Sequence, residues 1–155
     1  MHPHAELLED FYAAFARRDG AAMAAAYAAD ATFSDPVFRD LRGPQVGGMW
    51  RMLCERGTDL VVTYRDLRAD DAGGSAHWEA TYTFTATGRK VHNVIDASFT
   101  FREGRIATHV DRFDLRRWMG MALGPAGALL GWLPPLQDTL RKRAGRELEK
   151  YLARR

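Results

Sequence analysis

Leu7, Leu8, Phe11 and Phe15 recur at helical spacing with Tyr12 beside them, and the segment runs into RRDG, where Gly20 can break a helix. The pattern predicts a first helix over about residues 4–18. Met23, Ala26 and Tyr27 continue on a short second helix, followed by a strand ATFSD, a loop PVFRDLRG and a third helix from Pro44 to Glu55 that carries Met49, Trp50 and Leu53. Beyond it the period drops to two. Residues 59–68, 75–86, 89–101 and 105–114 are rich in β-branched and aromatic side chains, and DDAGG, TG and REG between them are hairpin punctuation. Helices first and a four-stranded meander after them predict an α+β fold, with the helices on one face of a curved antiparallel sheet. After Asp114 the pattern is helical again, and Leu136, Leu140, Ala144, Leu148 and Leu152 recur every four residues, an amphipathic helix over 136–153.

Strand alternation sorts the polar residues. Positions two apart share a face, so placing Phe113 in the core brings Asp111 and His109 with it. In SAHWEATYTFTA, the set Trp78, Tyr82 and Phe84 reads as pocket wall or core, and the set His77, Glu79, Thr81, Thr83 and Thr85 as an exposed or subunit-facing side. In HNVIDASFTF, Asp96 shares a face with His92, while Phe99 and Phe101 belong to the opposite one; a bulge near Ala97–Ser98 would turn Asp96 and both Phe the same way. Asp35 lies among Tyr27, Phe33, Val37 and Phe38, directly before Pro36. Asp-Pro is turn chemistry, but a carboxylate in apolar surroundings is expensive and invites a shifted pKa or a partner.

Composition narrows the classes. The chain has 155 residues, 46% of them hydrophobic, which is enough for one core and argues against two domains. Seven Lys/Arg against three acids in residues 136–155 make that stretch +4, so the remainder of a chain of net charge +2 is −2. The basic character belongs to a helix face, and no nucleic-acid partner is expected. One cysteine, Cys54, precludes an internal disulfide and fits a reducing cytoplasm; MHPHAELLED lacks a basic and apolar leader pattern. The uncharged run from Trp118 to Gln137 is long enough to span a bilayer, but Gly124–Pro125 and Pro134–Pro135 break it.

RRDGAAMAAAYAADATFSDP followed by RGP, then TGRKVHNVID and FREGRIATHVDRFD, resembles the nuclear transport factor 2-like superfamily, the cone-shaped α+β fold of ketosteroid isomerases, limonene epoxide hydrolases and SnoaL-like polyketide cyclases. The resemblance implies a cone domain over 1–114, with 115–155 a helical extension of the same domain. Carried over, the isomerase general base falls on Asp35 and its protonated oxyanion-hole Asp on Asp96; its oxyanion-hole Tyr falls on Phe11, with Tyr12 next door pointing off the helix face. Tyr27 and Trp50 match aromatic pocket positions. The epoxide hydrolases' final-strand Asp falls on Asp111, and the remaining partners fall loosely on His77 and Glu79; His109 with Asp111 is similar to the cyclases' polar dyad.

The expectation is therefore an apolar pocket for a small hydrophobic molecule. Asp35, Asp96, His109 and Asp111 are its acid/base groups, and Phe11, Tyr27, Trp50, Trp78, Tyr82, Phe84, His92 and Phe113 its binding surface. No metal or cofactor is implied. The alternative is a binding module of the same fold without turnover. A homodimer through the open sheet face is expected from the Thr81, Thr83, Thr85 face and the resemblance. The run WMGMALGPAGALLGWLPP must cover something, the cone mouth in preference to a subunit partner; docking of Trp118 and Trp132 with the basic helix on an anionic membrane is the weaker option.

Overall fold

Leu8, Phe11, Tyr12 and Phe15 are buried along helix α1 (Pro3–Ala16), whose N-terminus is capped by the His2 ring and begun by Pro3. In this computed structural model, which describes residues 1–154, α1 ends because Arg18 takes a left-handed conformation at φ 58°, and not because of Gly20. Asp19 then caps helix α2 (Gly20–Ala25), its Oδ1 accepting from the Ala22 amide at 3.0 Å. Gly20 matters for another reason: a Cβ there would stand 2.7 Å from the Arg51 Cα of helix α3 (Pro44–Arg56). Gly20→Ala is expected to cost about 1–3 kcal/mol through overpacking, despite the better helix propensity of Ala. A fall in urea midpoint checks it, and unchanged or higher stability refutes the close approach.

Strands β1 (Tyr27–Ser34), β2 (Leu41–Arg42), β3 (Val61–Ala69), β4 (Gly74–Phe84), β5 (Arg89–Arg102) and β6 (Arg105–Arg112) form one curved sheet in the order β2-β1-β6-β5-β4-β3. All pairings are antiparallel except β1 with β6. Tyr27, expected on the second helix, opens β1. The α+β cone is thus the observed architecture, with a sheet of mixed pairing. The main core gathers α1, α3 and the inner sheet face around Phe11, Phe33, Trp50 and Phe99.

Beyond β6 the chain forms α4 (Leu115–Leu123), α5 (Pro125–Leu130) and α6 (Pro134–Ala153). Leu115, Trp118, Met119 and Ala122 of α4 build a second cluster with Val91 at one end of β4 and β5. Leu148 of α6 and Tyr151 join the main core, and Leu152 lies against Gly48 of α3. Arg155, the last residue of the expected extension, lies outside the described residues. No helix among the described residues is long and apolar enough to cross a membrane.

Candidate active site

A cavity of about 440 Å³ opens between the inner sheet face and helices α3, α4 and α6. Trp50, Trp78, Tyr82, Phe84, Phe113 and Trp118 supply much of its aromatic wall. Asp35, Asp111 and Asn93 are among the polar side chains on this largely apolar wall. Arg56, Arg143 and Glu147 also line it, and Arg56 pairs with Glu147 at 3.3 Å, between α3 and α6.

Strand parity on β6 does what its sequence requires. His109 and Asp111, 1% and 3% exposed, both face inward. The Trp50 indole can only donate, and gives its Nε1–H to the Tyr27 oxygen at 2.8 Å. The Tyr27 hydroxyl proton is then left for His109 Nδ1, 2.7 Å away. With Nδ1 accepting, the ring proton sits on Nε2 and is donated to Asp111 Oδ1 at 2.8 Å. Asp111 Oδ1 also accepts from Trp78 Nε1 at 3.3 Å. Every proton of this Trp50–Tyr27–His109–Asp111 line is paired, and burial, then the Asp111 charge, push the Tyr27 phenol well above its ordinary pKa, keeping it a donor. Phe11 stands edge-on to the His109 ring at a centroid distance of 5.9 Å. Phe11, Tyr27 and His109 therefore support the wall from behind.

Asp35 combines both readings of its sequence. Its Oδ1 accepts from the Val37 amide at 2.7 Å and the Phe38 amide at 2.6 Å, closing the Asp-Pro turn. The residue is half-buried on the cavity wall, and desolvation outweighs those two hydrogen bonds; the Asp111 charge adds to it, raising the carboxyl to about 7. The turn is also pinned from outside, because Arg141 Nε of α6 donates to the Pro36 carbonyl at 2.8 Å.

Two expected site residues lie elsewhere. Register between β4 and β5 is unbroken from Gly74↔Phe99 to Phe84↔Arg89, so there is no bulge at Ala97–Ser98; the shift falls at Thr100/Phe101 against β6. Asp96, its side chain 76% exposed, and His92 consequently sit on the outer sheet face, not in the cavity. There Asp96 Oδ1 meets His77 Nδ1 at 3.0 Å, His77 Nε2 meets Glu79 Oε2 at 2.9 Å, and His92 Nε2 meets Glu79 Oε1 at 2.7 Å. Hydrogen bonds to Glu79 and Asp96 raise the His77 pKa. Tyr12 does not point off the helix: it is fully buried, its hydroxyl finds no partner, and burial drives its pKa well up.

Asn93 is the polar wall residue that the sequence reading passed over. It is 7% exposed and faces the cavity from β5. The signal was present, since Asn93 stands six residues before Phe99 and shares its parity.

Residues 8–109 match the family described as the SnoaL-like domain. The chain belongs to that family. Among solved structures it is similar to an LEH-like epoxide hydrolase from M. tuberculosis, at 20% identity and TM-score 0.64 over 85% of this chain and 96% of that one. A Catenulispora acidiphila protein of ketosteroid isomerase-like fold, in complex with trimethylamine, aligns at 17% identity and TM-score 0.68 over 86% and 100% of the two chains. An NTF2-like protein of unknown function from Burkholderia pseudomallei aligns at 20% identity and TM-score 0.64 over 74% and 92%. At these identities the likeness is one of fold. Comparison with curated proteins gives no match.

Proposed function

We propose that this SnoaL-like chain is a cofactor-free acid/base enzyme that moves a proton on carbon next to a carbonyl group of a small apolar molecule. The observation that carries the proposal is a pair of carboxyl groups, Asp35 and Asp111, on one largely apolar cavity, with Asp35 brought to about 7. Asp111 takes two N–H donors on Oδ1, from His109 and Trp78, while Oδ2 takes none among the described residues. It is placed as the proton acceptor, oriented by the His109–Tyr27–Trp50 line. Asp35 in its protonated form is the acid that serves the oxygen. The Asn93 amide supplies a further donor to charge developing there. Trp118 of α4 and Leu140 and Ala144 of α6 close the cavity wall, which limits water beside the carboxyls.

The neighbouring chemistries lack their parts. The isomerase oxyanion pair would be Phe11, which has no donor, and Asp96, which is outside; the loose epoxide-hydrolase partners His77 and Glu79 are outside with it. Exchange of substrate C–H protons in D₂O tests the proposal directly, because it reports enolisation whatever the product. A panel of apolar ketones should include members that exchange with the wild type and about 10²–10⁴-fold more slowly with Asp111→Asn.

A second reading is favoured by the Asp35 turn itself, whose Oδ1 is already occupied by two backbone amides. On that reading the cavity binds an apolar ligand and turns nothing over. Saturable binding of the same ketones with no deuterium uptake would select it.

A further inference from the structure

Helices α4 and α5 pack closely where Gly120 meets Ala128, and a Cβ at Gly127 would collide with the Met119 carbonyl. Beside this joint opens a shallow cleft of about 500 Å³ lined by Arg89, Lys90, Arg116 and Arg117, with Asp114 the acid on its wall. Asp114 is engaged as the cap of α4, accepting from the Arg117 amide at 3.1 Å. Two of the cations are anchored to backbone carbonyls, Arg89 Nε to Met121 at 2.9 Å and Arg117 to His92 at 3.2 Å. Lys90 pairs with Asp59 at 3.2 Å beside the cleft, so among the described residues four cations stand against two acids, Asp59 and Asp114, a net +2.

Immediately after Ala128 the chain turns its apolar side chains outward. Leu129, Leu130 and Trp132 are 71%, 47% and 57% exposed, and they are three of the six exposed large hydrophobics among the described residues. The other three, Met1, Leu53 and Val61, are scattered through the sequence. Trp118, expected to share an interface with Trp132, is instead buried, and its indole donates to Tyr82 at 2.7 Å.

We infer that the α4–α5 tip docks on an anionic lipid bilayer, with Leu129, Leu130 and Trp132 entering the interfacial layer and Arg89, Lys90, Arg116 and Arg117 meeting phosphate headgroups. Charge selects the occupant. Two copies meeting through this patch about a two-fold axis would bring +2 against +2, whereas a bilayer of anionic lipid offers the opposite sign to the whole cleft. Shape selects it too. Three consecutive-turn residues projecting from the end of a six-residue helix need a soft apolar layer about 5–10 Å deep, which is what the headgroup–acyl boundary provides. Trp at that depth sits with its ring apolar and its N–H wet. The docking does not depend on any chemistry in the cavity.

The test uses the full chain with phosphatidylcholine vesicles and with vesicles that also contain phosphatidylglycerol. Trp50, Trp78 and Trp118 are buried, so a blue shift of emission on vesicle addition reports Trp132. The expected result is a blue shift and co-sedimentation with anionic vesicles only, weakened by salt. Trp132→Ser should abolish the shift. Arg116→Gln should weaken binding about fivefold, the effect of one cation. Circular dichroism of these surface variants should match the wild type. No binding to anionic vesicles at low salt overturns the inference, as does equal binding to phosphatidylcholine alone. Binding that Trp132→Ser leaves untouched rejects insertion in favour of charge alone. Concentration-dependent self-association lost with Trp132→Ser, or capture by an acidic protein without vesicle binding, assigns the tip to another occupant and overturns it as well.

Discussion

Replacing Asp35 by Asn is expected to lower turnover by roughly 10²–10⁴-fold and, at the same time, to make the protein more stable above neutral pH. Asn keeps an oxygen to accept from the Val37 and Phe38 amides, so the turn survives while the titrating proton is removed. In the unfolded chain an Asp ionises near 3.9, whereas in the fold Asp35 does so at about 7. Below about pH 4 both states are protonated and the site costs nothing. Between about pH 4 and 7 the unfolded chain binds fewer protons than the folded one, so stability falls as pH rises, by about 1.4 kcal/mol per unit at most. Above pH 7 the penalty is constant, on the order of 2–4 kcal/mol for a half-buried group. Denaturation at pH 4.5 and pH 8.5 should therefore show a gap between variant and wild type that opens with pH. Wild-type turnover should decline above about pH 7, as the acid form of Asp35 is lost, and the variant's residual rate should lack that inflection. A stability difference independent of pH would mean that the carboxyl is not desolvated and would remove the basis of its role.

Where the sequence could be read, one short-range rule sufficed. Period-two alternation anchored by Phe113 put His109 and Asp111 inside, and the same rule put Trp78 and Tyr82 on the cavity wall. The rule holds at Asp96 as well, which lies on the face opposite Phe99; only the family motif required a bulge to bring it inside. Phe99 is buried and Phe101 half-buried on the inner face, and burying a Phe is worth about 1.5–3 kcal/mol, while Asp96 loses nothing by staying in water. Those terms favour the regular register over an inward Asp96, and Asn93 comes inside as a consequence. Tyr27 was misplaced by one element because a residue just past a short helix can equally begin a strand. The line Trp50–Tyr27–His109 was not legible at all. It joins residues 82 positions apart, and only the parallel pairing of β1 with β6 brings them together.

That line carries the other large expectation. His109→Leu should destabilise the protein by about 3–5 kcal/mol, because it takes a hydrogen-bond partner from two buried polar groups, at about 1–3 kcal/mol each and more for the Asp111 carboxylate. Asp111, almost fully buried, would keep only the longer 3.3 Å bond from Trp78, and the Tyr27 hydroxyl would lose its acceptor. Both groups would then be desolvated with only part of their hydrogen bonding kept. At about 2–4 °C per kcal/mol for a chain of this size, the midpoint of thermal unfolding should drop by roughly 6–20 °C. The decisive comparison is the double variant His109→Leu/Asp111→Leu. Removing both polar partners leaves apolar groups in an already aromatic shell formed by Phe11, Phe33, Phe99 and Trp50, so the double change should cost less than the single one. Urea unfolding of the singles and the double gives the coupling energy directly. A double variant as unstable as the sum of the two singles would show that His109 and Asp111 act independently, and that Asp111 owes its orientation to something other than the His109–Tyr27–Trp50 line.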